Sequence, residues 1–175
     1  MKYAFGVAAL CALLASPAQA FDVRSKDFTD GGTLPAQQVY RGFGCEGGNR
    51  SPQLAWRDPP AGTKSYVVTA YDPDAPTGSG WWHWVVYDLP ADVHALDAGA
   101  VVPAPARQGR NDFGTREFGG ACPPVGDKPH RYVFTVHALK VEKLDVPADA
   151  SPALIGFMVH MNSLGSVKIT ATYGR

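Results

Sequence analysis

Tyr66-Val67-Val68-Thr69-Ala70-Tyr71, running into Asp72-Pro73-Asp74-Ala75-Pro76, decides the fold class. The first stretch is dominated by β-branched and aromatic residues and bounded by Gly62 before and Pro73 after, the pattern of a strand. Trp84-Val85-Val86-Tyr87-Asp88-Leu89 is a second run of this kind, stopped by Pro90. Arg131 to Leu139 is a third, with Tyr132, Phe134, Val136 and Ala138 sharing one face at period two. Val167 to Tyr173 is a fourth; Phe21-Asp22-Val23 and Gln38-Val39-Tyr40 are weaker candidates. One helix is predicted, with Ser151 as N-cap, Pro152 in the first turn and Gly165 as its stop. Its Leu154, Ile155, Met158 and Met161, with Phe157 beside them, follow helical spacing and are expected in the core. The chain reads as mainly β.

Composition narrows the function. The 175 residues carry 16 Lys+Arg and 16 Asp+Glu, for a formal net charge of zero, and no basic run occurs. That excludes a nucleic-acid partner as the leading reading. The 19 Gly and 15 Pro suit a β domain with many turns. Residues 1–20 have the pattern of a signal peptide: Lys2, an apolar stretch from Phe5 to Ala15, and Ala18-Gln19-Ala20 as a small-x-small cleavage site. Leu10 before Cys11 does not suit lipoprotein processing. The expected mature chain begins at Phe21, forms one domain over 21–175, and is periplasmic or secreted. No later stretch approaches the roughly 20 apolar residues of a membrane helix.

Cleavage leaves Cys45 and Cys122. In an oxidising compartment such a pair reads as a disulfide, the alternative being two independent thiols. Neither cysteine has a close Cys or His partner in sequence, so a zinc site is poorly supported. The stretch from Pro90 to Lys128 is long, irregular and rich in Gly and Pro; a loop of that length is usually functional or pinned, and Cys122 would pin it.

Three segments carry chemistry: Asp72 to Pro76, Trp81-Trp82-His83-Trp84, and Gly120-Ala121-Cys122-Pro123-Pro124 followed by His130-Arg131-Tyr132. Asp72 ends one strand, and His83 and His130 begin two others. If these strands pair antiparallel, all three residues reach one sheet edge. A carboxylate beside an imidazole fixes which ring nitrogen carries the proton. Two donor imidazoles, with backbone N–H groups of Gly119-Gly120-Ala121, would bind a cluster of anionic oxygens such as a phosphate monoester. Trp82 and Tyr132 would wall the pocket and face a cationic head group, and Asp72 or Asp74 would accept from its ammonium. Taken singly, Asp72 and Asp74 are turn formers and His83 is a buried structural histidine. A strained proline turn also makes Ala75-Pro76 a candidate cis bond.

The combination of D-P-D-A-P (72–76), G-W-W-H-W (80–84) and C-P-P-x5-H-R-Y (122–132), together with Ser51-Pro52-Gln53-Leu54-Ala55-Trp56, resembles the phosphatidylethanolamine-binding protein family. Gly109-Arg110-Asn111-Asp112-Phe113-Gly114 and Gly126-Asp127-Lys128-Pro129-His130 resemble its bacterial secreted branch, the Raf kinase inhibitor-like proteins. The resemblance implies two antiparallel sheets in a Greek-key β-sandwich with a C-terminal helix and few others. It implies a cavity lined by Asp72, His83, Gly120, His130 and Tyr132, with Asp74, Trp82 and Pro123 as neighbours. The implied function is non-enzymatic binding of a small anionic or phosphorylated ligand, with no cofactor and no metal. An inhibitor or envelope- or host-binding protein that uses its surface, or forms a homodimer, is the alternative. A hydrolase is disfavoured, because neither G-x-S-x-G nor H-E-x-x-H occurs.

Overall fold

The computed structural model describes residues 20–175, so the signal peptide expected over 1–20 lies almost wholly outside the described residues. The strands are β1 (Asp22–Arg24), β2 (Gly32–Thr33), β3 (Arg41–Gly42), β4 (Cys45–Glu46), β5 (Leu54–Arg57), β6 (Ser65–Asp72) and β7 (Trp81–Pro90). They continue as β8 (Ala95–Leu96), β9 (Arg107–Gln108), β10 (His130–Leu139) and β11 (Ser163–Tyr173), with helix α1 (Pro152–Asn162) before the last strand. A six-stranded sheet has the order β2-β11-β10-β6-β7-β9, and a three-stranded sheet the order β1-β5-β8. Strands β6, β7 and β9 lie side by side, with β8 between β7 and β9 in the chain but in the small sheet, and β10 returns to lie beside β6, a Greek-key arrangement. All pairings between these strands are antiparallel except the short β2–β11 contact, which is parallel.

The large sheet is covered on both faces. Tyr66, Val68, Trp84, Val86, Phe134 and Val136 pack towards the small sheet with Leu54 and Trp56. Val67, Val85, Tyr87 and Leu139 face the other way, against Leu144 and the α1 residues Ile155 and Val159. Hence β6 is buried almost without interruption, as a two-sided central strand must be. Each of these large apolar side chains contributes about 1.5–3 kcal/mol by leaving water.

Several local expectations are corrected. Gln38-Val39-Tyr40 is not a strand: Ala36–Gln38 is a 3-10 turn, and Val39 makes a single bridge to Ala121. Ser151 caps α1 by accepting from the Leu154 N–H at 3.2 Å, but the helix ends at Asn162 and passes straight into β11. Gly165 is therefore a strand residue, where a Cβ would sit tightly at 3.0 Å from the Pro60 ring. Strand pairing with β10 overrides the glycine stop. Within α1 the core residues are Ile155 and Val159, whereas Leu154, Phe157 and Met161 are exposed. The helix contains no Asp, Glu, Lys or Arg, so its apolar pattern runs nearly all round and cannot select the inward face. Ala75-Pro76 is trans; the cis bond of the described residues is Ala104-Pro105.

Candidate functional site

The antiparallel pairs β6–β7 and β6–β10 bring Asp72, His83 and His130 to one end of the large sheet. There they line a cavity of about 190 Å³ with Phe43, Trp81, Phe113, Pro123 and Pro124. Asp72 is 3% exposed. Its Oδ1 accepts the N–H groups of Asp74 (2.8 Å) and Ala75 (3.1 Å), and its Oδ2 accepts from His130 Nδ1 at 2.7 Å. Asp72 thus closes the turn through one oxygen and holds the His130 ring through the other. His130 Nε2 lies 3.4 Å from the carboxylate of Asp127.

His83 is 4% exposed, and its Nδ1 is 2.7 Å from the carbonyl oxygen of Gly119. Burial holds its pKa below the ordinary imidazole range, opposed by the Gly119 hydrogen bond and the Asp72 charge. Its ring stands edge-on to Tyr132 and to Phe113, at 5.2 and 5.4 Å between centroids. Its Nε2 is buried and has no hydrogen-bond partner among the described residues.

The disulfide forms: Cys45 and Cys122 are joined, with 6.0 Å between their Cα atoms. It ties the β3–β4 hairpin, whose tip presents Phe43, to the loop that presents Pro123 and Pro124. Arg175 reinforces the same junction by donating to the carbonyls of Pro123 (2.7 Å), Gly44 (3.0 Å) and Phe43 (3.2 Å). Buried Asn111 folds the other wall by donating to the carbonyl of Glu117 at 2.6 Å while its Oδ1 accepts from Thr115 N.

Not every expected residue joins the cavity. Trp82 is on the opposite face of the sheet, with its ring 4.5 Å from that of Tyr71 and in a second cleft below α1. The cause is a bulge: Ala70 pairs with Trp84 but Tyr71 pairs with Trp82, so His83 is an extra residue. Trp81, not Trp82, supplies the indole wall. Asp74 forms a two-pronged ion pair with Arg131 (2.8 and 2.6 Å), which lowers its pKa to about 2. It therefore sits on an adjoining groove with Lys128 and Pro129. Tyr132 packs beneath His83, and burial pushes its phenol pKa upward. The glycine-loop N–H groups are already used: Gly119 donates to His83 O, Gly120 to Asn49 Oδ1 and Ala121 to Gln38 O. Gly120 instead allows close approach, since a Cβ there would collide with the backbone of Gln38, Val39 and Tyr40. Phe43, Trp81, Phe113, Asn111 and Arg175 were missed as site residues. The motif Gly109 to Gly114 was the available signal for Phe113 and Asn111.

The family model described as phosphatidylethanolamine-binding protein matches residues 24–174. The chain is 54% identical to UPF0098 protein YbcL of Escherichia coli (strain K12) over 162 residues, covering 89% of this chain and 88% of that protein. It is also 54% identical to YbhB of the same organism over 154 residues, covering 85% and 97% respectively. The crystal structure of E. coli YbcL, described as a member of the mammalian PEBP family, superposes with a TM-score of 0.86 at 52% identity, covering 89% of this chain and 98% of that one. A PEBP homologue from Chlamydia trachomatis gives 0.77 at 30% identity, with the same coverage. Two relatives above half identity, a family match over nearly all the described chain and two superposable folds agree: this chain belongs to the phosphatidylethanolamine-binding protein family.

Proposed function

We propose that the protein is an exported, non-enzymatic binding protein whose sheet-end pocket takes phosphate-like anions or phosphorylated head groups. The observation that carries this reading is the imidazole nitrogen left over at the cavity. Both Nδ1 atoms are committed, to Gly119 O and to Asp72, and His130 Nε2 faces the Asp127 carboxylate at 3.4 Å, so His83 Nε2 is the ring atom left without a partner for a ligand to meet. A buried Nε2 without a partner is costly unless something binds it. The cavity, at about 190 Å³, is smaller than the roughly 300–1,000 Å³ of pockets for drug-sized ligands, and suits a compact polar group. Trp81, Phe113 and Phe43 offer aromatic faces to an ammonium group attached to the phosphate. Export is supported by the leader pattern of residues 1–20 and by a disulfide suited to an oxidising compartment.

The test is a titration with phosphorylethanolamine followed by NMR of the histidine ring protons. Saturable shifts at His83 and His130, with His94, His137 and His160 unmoved, are expected. No shift at millimolar ligand would sink the pocket reading. One observation favours the surface-interaction reading beside it: Leu154, Phe157 and Met161 form an exposed apolar stripe on α1. Sedimentation of the mature chain checks it; a strictly monomeric protein at high concentration would remove self-association from that reading.

A further inference from the structure

We infer that His83 makes the pocket selective for oxyanions that carry a proton, accepting a hydrogen bond at Nε2 from a P–OH group and disfavouring fully deprotonated anions such as sulfate. The inference rests on the pocket reading above and deepens it by naming the ligand's protonation state.

The tautomer follows from chemistry. The Gly119 carbonyl can only accept, so the 2.7 Å contact requires the proton on His83 Nδ1. In the neutral ring Nε2 is then a bare acceptor. Turning it into a donor needs a second proton on an imidazole that is 4% exposed. Desolvation opposes that charge and outweighs the groups that favour it. Those groups are Asp72 on β6, Asp112 in the 109–119 loop, and the Gly119 and Gly120 backbone. From β10 the ring meets Tyr132, and from the loop Phe113, both uncharged aromatics. His130 on β10 lines the same cavity, but Asp72 and Asp127 flank its two ring nitrogens. The pocket therefore presents one acceptor that a proton-bearing oxyanion satisfies and a bare one repels. A site with a fixed polar group discriminates strongly against the analogue that leaves it unpaired.

The experiment compares inorganic phosphate and sulfate by calorimetry at about pH 8. Both are then tetrahedral dianions of similar size, but only phosphate keeps a proton. Phosphate is expected to bind at least about tenfold more tightly. Methyl phosphate, whose second pKa is about 6, is expected to lose affinity as pH rises from about 6 to about 8, while inorganic phosphate does not. His83→Gln places an amide NH₂ donor in the pocket, so the phosphate-to-sulfate ratio should fall towards one; a thermal melt verifies that the variant folds. The wild-type comparison stands alone if it does not. Equal affinities for phosphate and sulfate in the wild type would overturn the inference and leave the pocket intact. If neither anion binds at millimolar concentration, the pocket reading itself fails, and the inference with it.

Discussion

Replacing Asp72 by Asn tests the centre of the site with one atom changed. The amide oxygen can keep the place of Oδ1 and still accept from the Asp74 and Ala75 N–H groups. The other oxygen becomes NH₂, a donor facing the donor at His130 Nδ1, where the native contact is 2.7 Å. The pair is buried on both sides, with 5% and 4% side-chain exposure, so water cannot resolve the conflict. The ring must move its proton to Nε2 or break the contact. Losing a hydrogen bond to a charged group costs about 1.5–3 kcal/mol. For a chain of this size each kcal/mol shifts the melting temperature by about 2–4 °C, so a fall of about 3–12 °C is expected. Calorimetry at neutral pH reads the fall, and nitrogen-15 NMR of His130 reads the tautomer. A melting temperature within about 1 °C of the wild type, together with an unchanged His130 tautomer, would refute the claim that this contact holds the ring.

Three further outcomes are expected. The Cys45–Cys122 crosslink spans 77 residues, so its reduction should remove about 4–5 kcal/mol in the chain-entropy picture; free thiols at Cys45 and Cys122 in the untreated protein would contradict the bond. Gly120→Ala should destabilise by about 1–3 kcal/mol or more, because the added methyl meets backbone atoms of residues 38–40 that no rotamer change can move; an unchanged urea midpoint would show that the loop yields. His137 is half-buried without a hydrogen-bond partner among the described residues, and desolvation lowers its pKa to about 4. The unfolded chain then binds the extra proton first, so stability falls as pH drops from about 6.5 to about 4, by up to about 3 kcal/mol, and partial exposure of the ring makes this an upper value. His137→Leu should flatten that limb of the stability curve, and an equally steep loss in the variant would assign it to other groups.

The fold was legible wherever a segment's own chemistry agreed with its long-range pairing. The runs at 66–71, 84–89 and 131–139 became β6, β7 and β10, and the Ser151-Pro152 cap began α1 where expected. The edge argument for Asp72, His83 and His130 also holds, because it needed only antiparallel neighbours and strand ends. What failed depended on partners distant in sequence. Gly165 reads locally as a helix stop, yet β10 recruits it into a strand. The Gly119-Gly120-Ala121 amides read as an anion nest until Gln38, Asn49 and His83 are found taking their hydrogen bonds. Arg175 carries no local signal at all; its role exists only because three carbonyls from two loops converge on it.

The placement of His83 shows how one irregularity creates the site. On the large sheet Trp84 and Val86 face the small sheet, and Val85 faces α1. Strict alternation back from Val85 would put His83 beneath the helix and Trp82 between the sheets. The bulge opposite Ala70 and Tyr71 inserts His83 as an extra residue. It lets His83 and Trp84 share one side while Trp82 turns to the other. The imidazole thereby joins Asp72 and His130, and its neighbour Trp82 fills the back of the sheet against Tyr71. A bulge leaves no mark in a hydrophobic pattern as dense as Trp-Trp-His-Trp, where every position is apolar or aromatic. Its energetic support comes from Gly119, whose N–H donates to the His83 carbonyl and whose carbonyl accepts from His83 Nδ1, so the extra residue is held by both its backbone and its ring. The loop that the disulfide anchors is thus what keeps the bulge, and with it the histidine, on the side of the pocket.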